Sequence, residues 1–346
     1  MYFATDQYIR NLTDEVKREF DYRTVSAYEW KDWQSRFRKR LSEISGLDEV
    51  RTANQGLELK PQLLERVEEP SYIREKWVIQ SEPGIWIPFY FLKPVKPSTV
   101  PMPVIITPHG HGRRGKEIYI GNYSNEAERN HAMEGDRDIA IQAVQCGYAV
   151  IAPDQRGFWE MAREQEVLKE ERDSCPDLQK KAMLFGRTLI GERVHDMRRL
   201  IDFIQTQPEL DTQRIGITGN SGGGTTSLFT AALDERISLC VPGSYFCTFH
   251  ASVLTEEHCP CNIIPGILKL GEMYDIAGLI APRPLLIVHG RDDEMFPSHA
   301  TREAVAHTRK IYAAFEAEDR FDYYEGDGGH RYFKQPVWPF VKQYFN

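Results

Sequence analysis

The chain has 346 residues, 41% of them hydrophobic and 27% charged, enough to bury a sizeable core as one large domain or two ordinary ones. Lysine and arginine number 43 against 51 aspartate and glutamate, a formal net charge of -8 at pH 7. That balance argues against a nucleic-acid-binding surface, which needs a clustered basic excess, and favours neutral substrates or cations over polyanions.

Residues 1–70 read as a helical extension packed on a main domain that fills 71–346. Met1 to Arg10 hold no apolar core of signal-peptide length, and no later run is long enough to span a bilayer, so the chain as given reads as cytoplasmic, with no membrane partner. One helical pattern covers Asn11 to Tyr22. A clearer one repeats Trp30, Trp33, Phe37, Leu41 and Ile44 at threes and fours, with a capping box at Ser26 and Glu29 and a stop at Gly46. Its basic face is expected to be solvated.

From Tyr72 the period shifts towards two, and Trp77, Ile79, Ile85, Ile87, Phe89 and Phe91 predict a hairpin about Pro83 and Gly84. Then come a short buried strand, Val104 to Thr107, and the run Pro108-His109-Gly110-His111-Gly112. A helix over Asp138 to Cys146 and a strand over Tyr148 to Ala152 follow. This alternation implies a parallel sheet with helical crossovers. Two polar inserts, 113–137 and 158–185, each follow a strand at its carboxyl end, where open α/β sheets place their sites. A helix over Gly186 to Gln207 leads into Arg214-Ile-Gly-Ile-Thr-Gly219-Asn-Ser221-Gly-Gly223-Gly224, an apolar run that stops at a serine flanked by glycines.

Gly219, Ser221 and Gly223 fill the GxSxG pattern of a nucleophile elbow, in which the serine sits at strained angles between a strand and a helix. A phosphate-cradling loop does not fit, since no lysine follows the glycines and no GxGxxG register passes through Ser221. A serine hydroxyl needs an imidazole to take its proton, and the imidazole needs a carboxylate to hold it. Two further strands, Ile237 to Pro242 and Pro284 to His289, precede Gly290-Arg-Asp-Asp293. A last strand, Phe321 to Tyr324, precedes Gly326-Asp-Gly-Gly-His330. Asp293, three residues after Gly290, is the expected acid in preference to Asp292, and His330 is the expected base. The backbone N–H groups of His111 and Gly222 are the expected oxyanion donors.

The order serine, acid, histidine, each at the end of a strand, resembles the α/β-hydrolase fold: a mostly parallel central sheet flanked by helices, with the N-terminal helical extension added. Arg156-Gly157, the elbow, Ala281-Pro-Arg-Pro284 and Gly290 to Pro297 are similar to the acetyl xylan esterase and dienelactone hydrolase-like group. The resemblance implies an α/β-hydrolase catalytic domain cleaving carboxylic esters through Ser221, Asp293 and His330. No cofactor is expected, and the substrate would be a small-molecule or carbohydrate ester, with acetyl as the acyl group. His109, Arg156, Trp159 and Phe246 are the candidate substrate contacts, with Phe249 beside them. A serine peptidase or amidase, and a non-catalytic binding module on a hydrolase scaffold, stay open, as does homo-oligomerisation.

Six cysteines are too few for a disulfide-built scaffold. Cys146 and Cys240 sit in apolar patterns and are expected in the core. Glu257, His258, Cys259 and Cys261 cluster, but structural zinc usually draws on wider pairs such as CxxC. The loop is therefore expected to shape the pocket and to hold no metal.

Overall fold

The computed structural model describes residues 3, 5–25, 29–169 and 173–346. Among these, nine strands form one sheet in the order β1-β2-β3-β5-β4-β6-β7-β8-β9. They are β1 Gln62–Glu68, β2 Tyr72–Glu82, β3 Ile85–Pro94, β4 Met102–Ile106, β5 Ala149–Pro153, β6 Leu210–Asn220, β7 Leu239–Gly243, β8 Leu285–Gly290 and β9 Phe321–Gly326. Strands β1 to β3 are antiparallel to their neighbours, and β3 joins β5 antiparallel. From β5 through β4 to β9 every pairing is parallel.

The central strands are short apolar runs buried along their whole length, as strands covered on both faces must be. Alternate side chains feed two cores. Val104, Ile106, Ile151, Leu285 and Ile287 enter the core beneath helices Trp30–Ile44, Leu189–Gln205, Gly222–Leu233 and Ser298–Ala314. Ile105, Val150, Leu286 and Val288 enter the core beneath helices Ile139–Gln145 and Lys334–Phe345. Because β4, β6, β8 and β9 are parallel, the loops leaving their carboxyl ends converge on one edge of the sheet.

The N-terminal segment is part of this packing. Trp33 is 2% exposed, Phe37 and Leu41 are fully buried, and Gln34 Nε2 donates to the carbonyls of Gly278 and Ala281, each at 2.7 Å. Gly46 ends the helix at φ 76°, and a Cβ there would lie 2.6 Å from Arg187 Cα, so the stop needs glycine twice over. Ser26 of the expected capping box lies outside the described residues.

Three readings change. The first helix is Asp6–Glu15 and not Asn11 to Tyr22. The chain leaves it so that Glu19 and Phe20 can donate backbone hydrogen bonds to Lys269 and Leu270, burying Phe20 and Tyr22. Residues 62–68, read as part of the helical extension, form the edge strand β1 on β2. Cys146 is exposed at the end of its helix, whereas Cys240 is buried as expected. No helix among the described residues is long and apolar enough to cross a membrane.

Candidate active site

Strand β6 ends at Asn220, and Ser221 turns the chain at φ 58° and ψ -121° into helix Gly222–Leu233. A non-glycine residue at such angles is strained, and it is held by its N–H donating to Gly243 O at 2.8 Å. A Cβ on Gly219 or Gly223 would clash with the carbonyl oxygen of Pro108, so the loop after β4 rests directly on the elbow.

Asp293 follows β8 and is 3% exposed. Its Oδ1 accepts from the N–H groups of Met295 and Phe296 at 3.1 and 3.3 Å, and its Oδ2 accepts from His330 Nδ1 at 2.8 Å. Asp292 is exposed. The His330 ring lies nearly parallel to Phe296, with centroids 6.0 Å apart, and reaches the same cavity as Ser221. That cavity measures about 540 Å³.

The loop His109–Gly112 forms one wall. Gln155 N–H donates to His109 Nε2 at 3.1 Å, which leaves Nδ1 as the nitrogen that donates to Gly110 O at 2.7 Å. His109 is 1% exposed and braces the loop. Behind it, fully buried Lys116 pairs with Asp154 at 2.6 Å and with Glu160. Burial pulls the ammonium pKa down, but the neighbouring carboxylates outweigh it and hold the group charged. The backbone N–H groups of His111 and Gly222 donate to no other group among the described residues. A Cβ on Gly222 would lie 3.7 Å from His111 N, and both residues line the cavity side by side.

Several lining residues carry no motif. Tyr119 accepts a hydrogen bond from Asn220 N–H at 3.0 Å, and burial pushes its hydroxyl up to about 12, so it stays neutral. Tyr245, Met295 and Phe296 complete the apolar side, and the Asn262 amide lies among them. His258, its pKa lowered by burial, packs edge-on to Phe296 and hydrogen-bonds Met295 O at 3.1 Å. Arg137 also lines the cavity. It meets His131 at 2.6 Å and has no carboxylate at ion-pair distance among the described residues. Phe296 stands three residues beyond Asp293 and Tyr245 two beyond β7, and position after a strand end was the only signal that could have found them.

A family model described as the Abhydrolase family matches residues 1–324. The chain belongs to the Abhydrolase family. It is 28% identical over 253 residues to YtaP of Bacillus subtilis (strain 168), provisionally named a hydrolase, covering 70% of this chain and 77% of that one. An acetyl xylan esterase, so named provisionally, from Bacteroides fragilis NCTC 9343 has the same fold. Its TM-score is 0.75 at 18% identity, over 94% of this chain and 83% of that one. A glucuronoyl esterase from Teredinibacter turnerae T7901 matches with a TM-score of 0.62 at 15% identity, over 93% and 86%.

In this Abhydrolase member, four of the expected substrate contacts, Phe249 included, stand elsewhere. Arg156 is buried, with Nε and Nη2 on Asp196 at 2.7 Å each and Nη1 on Glu82 at 2.6 Å. It clamps β2 to helix Leu189–Gln205 and has no face left for a ligand. Phe246, 1% exposed, belongs to the hydrophobic core, and Phe249 borders a separate groove against the first helix. Trp159 is half-buried beneath Arg114, whose guanidinium lies 5.1 Å from its ring centroid, and it does not line the cavity. The cysteine cluster is also regrouped. Cys259 and Cys261 meet Cys175 and the His111 side chain, not Glu257 and His258. Their new partners lie 84 and 150 residues away in sequence, beyond the reach of any local spacing rule.

Proposed function

We infer that this Abhydrolase member is a serine esterase, with residues 71–346 as its catalytic domain and 1–70 as an extension packed on it. The observation that carries the reading is the convergence of Ser221, the His330–Asp293 pair and two undonated backbone amides on one cavity of about 540 Å³. The Ser221 hydroxyl attacks the ester carbonyl while His330 Nε2 takes its proton, and Asp293 holds the proton on Nδ1 and stabilises the imidazolium. The oxyanion falls to the amides of His111 and Gly222, each such donor contributing about 3 to 4 kcal/mol to transition-state stabilisation. The alcohol leaves with the proton from His330, and water then releases the acid from Ser221 by the same steps reversed.

The substrate proposed is a short acyl ester, acetyl foremost, on a carbohydrate or small polar alcohol. Tyr119, Tyr245 and Phe296 line the cavity with aromatic surface, as Trp159 and Phe246 do not. Arg137 favours a second reading, an ester of a sugar acid, because a guanidinium without a carboxylate partner on the cavity wall can donate to the ester oxygens and pair with the carboxylate that hydrolysis releases. One panel separates the two: acetyl to octanoyl esters of sugar, aryl and methyl alcohols, methyl esters of uronic acids, and peptide amides. The first reading expects kcat/KM highest for acetylated sugars and falling with acyl length. Cleavage confined to uronic acid methyl esters selects the second, and faster cleavage of amides than esters overturns both.

A further inference from the structure

The regrouped cysteines carry more than pocket shape. His111 Nε2 and the Sγ atoms of Cys175, Cys259 and Cys261 all lie within 4.8 Å of one another. They come from the loop after β4, from the first residue of helix Cys175–Leu184, and from the turn around Pro260–Asn262. Cys259 and Cys175 are 3.5 Å apart, Cys261 and His111 3.4 Å, and Cys175 and His111 3.9 Å. Tetrahedral zinc, with Zn–S about 2.3 Å and Zn–N about 2.0 Å, sets edges of about 3.8 Å between sulfurs and about 3.5 Å between sulfur and nitrogen. The three closest separations, 3.4 to 3.9 Å, match those edges, and all four atoms lie within 4.8 Å of one another. A disulfide would need two sulfurs at about 2.0 Å and would strand the third cysteine.

Arg193 supplies an independent observation. It is 2% exposed, yet no carboxylate lies at ion-pair distance among the described residues. Its Nη2 donates to Cys175 Sγ at 3.1 Å and to Arg156 O at 2.8 Å, and its guanidinium packs on the Phe158 ring. A buried cation requires an anion. Three thiolates, one neutral imidazole and Zn²⁺ sum to a charge of -1, which the guanidinium balances. Three neutral thiols would leave it unpaired.

We propose that His111, Cys175, Cys259 and Cys261 bind one structural zinc ion, which pins the oxyanion loop to the pocket wall. Binding displaces the three thiol protons to solvent and involves no redox step. Four protein ligands close the coordination sphere, so the ion holds structure and activates no water. Because His111 ligates through Nε2, its proton stays on Nδ1, the ring nitrogen that stands over Gly222. The backbone N–H that would receive the oxyanion thus belongs to a residue fixed by the ion.

The test is metal content, read without substrate and so independent of the esterase assignment. Wild-type chain purified without chelator and dialysed against zinc chloride should hold about one zinc per chain by plasma mass spectrometry. Cys261→Ser and Cys175→Ser should lose it, and Cys146→Ser, whose thiol is exposed on the far helix, should keep it. Cobalt substitution should give thiolate-to-cobalt charge transfer and the intense visible bands of a tetrahedral site. Zinc removal should lower kcat for an activated ester by about 10²-fold with little change in KM, as a displaced oxyanion donor would. A wild-type chain that takes up no zinc, a Cys175–Cys259 disulfide in the native protein, or zinc retained after all three cysteines are replaced would overturn the site. Unchanged kcat in zinc-free protein would overturn the pinning.

Discussion

Asp292 and Asp293 are adjacent, but only one carboxylate is built into the site. Asp293 accepts three hydrogen bonds from inside the protein, while Asp292 faces solvent. Asp293→Asn keeps the shape and reverses the hydrogen-bond demand on His330 Nδ1, so it should lower kcat on nitrophenyl acetate by about 10⁴-fold. Asp292→Asn should change it by less than about threefold. Steady-state kinetics on the two variants decides the register, and the opposite ranking would move the acid by one residue. The contact between Asp293 and His330 was legible in the sequence because the turn after a strand is short and its geometry local. Arg156 was misread for the complementary reason: a motif places an arginine beside a strand end but does not show that Asp196 and Glu82 wait for it inside.

At the scale of elements, Arg156 and the carboxylates around it join β2 to helix Leu189–Gln205 out of water. Arg156→Met would leave Asp196 buried with its charge uncompensated, at a cost of about 3 to 5 kcal/mol. Chemical denaturation should show that loss while KM for a small ester stays near the wild-type value. A shifted KM with unchanged stability would return Arg156 to the pocket. Trp33 makes a matching case. Its ring lies against Gly278, where a Cβ would sit 2.9 Å from Trp33 Cη2. Trp33→Ala should cost about 3 to 5 kcal/mol in a thermal or denaturant melt. A neutral effect would mean that the helix Trp30–Ile44 contributes nothing to the main fold. That helix was legible because its apolar face repeats at threes and fours. Strand β1 was not, since Leu63 and Leu64 are 47% and 55% exposed and an edge strand needs little apolar patterning.

Across the whole molecule, the sheet brings together what lies far apart in the chain. Loops after β4, β6, β8 and β9 meet because those strands are parallel, and each carries one function of the proposed chemistry. The alternation of strands and helices was readable as periodicity, and with it the edge on which the site stands. The apolar wall of Tyr119, Tyr245 and Phe296 and the His111–Cys175 contact were not, because each depends on how inserts fold over that edge. Trp30, Trp33, Phe37 and Leu41 of the N-terminal segment share the main hydrophobic core. Deleting residues 1–61 should therefore give an aggregated chain, and a soluble, cooperatively folded fragment on gel filtration and calorimetry would show the extension to be dispensable.

All of this chemistry depends on Ser221 being the nucleophile, and a fluorophosphonate probe tests that most directly. Peptide mapping by mass spectrometry after labelling should find one adduct per chain, on Ser221, with ester hydrolysis lost in step. Ser221→Ala should take no label and should lose activity on the order of a million-fold in kcat. An adduct on another residue, or a Ser221→Ala chain that retains more than a few per cent of its esterase activity, would contradict the account.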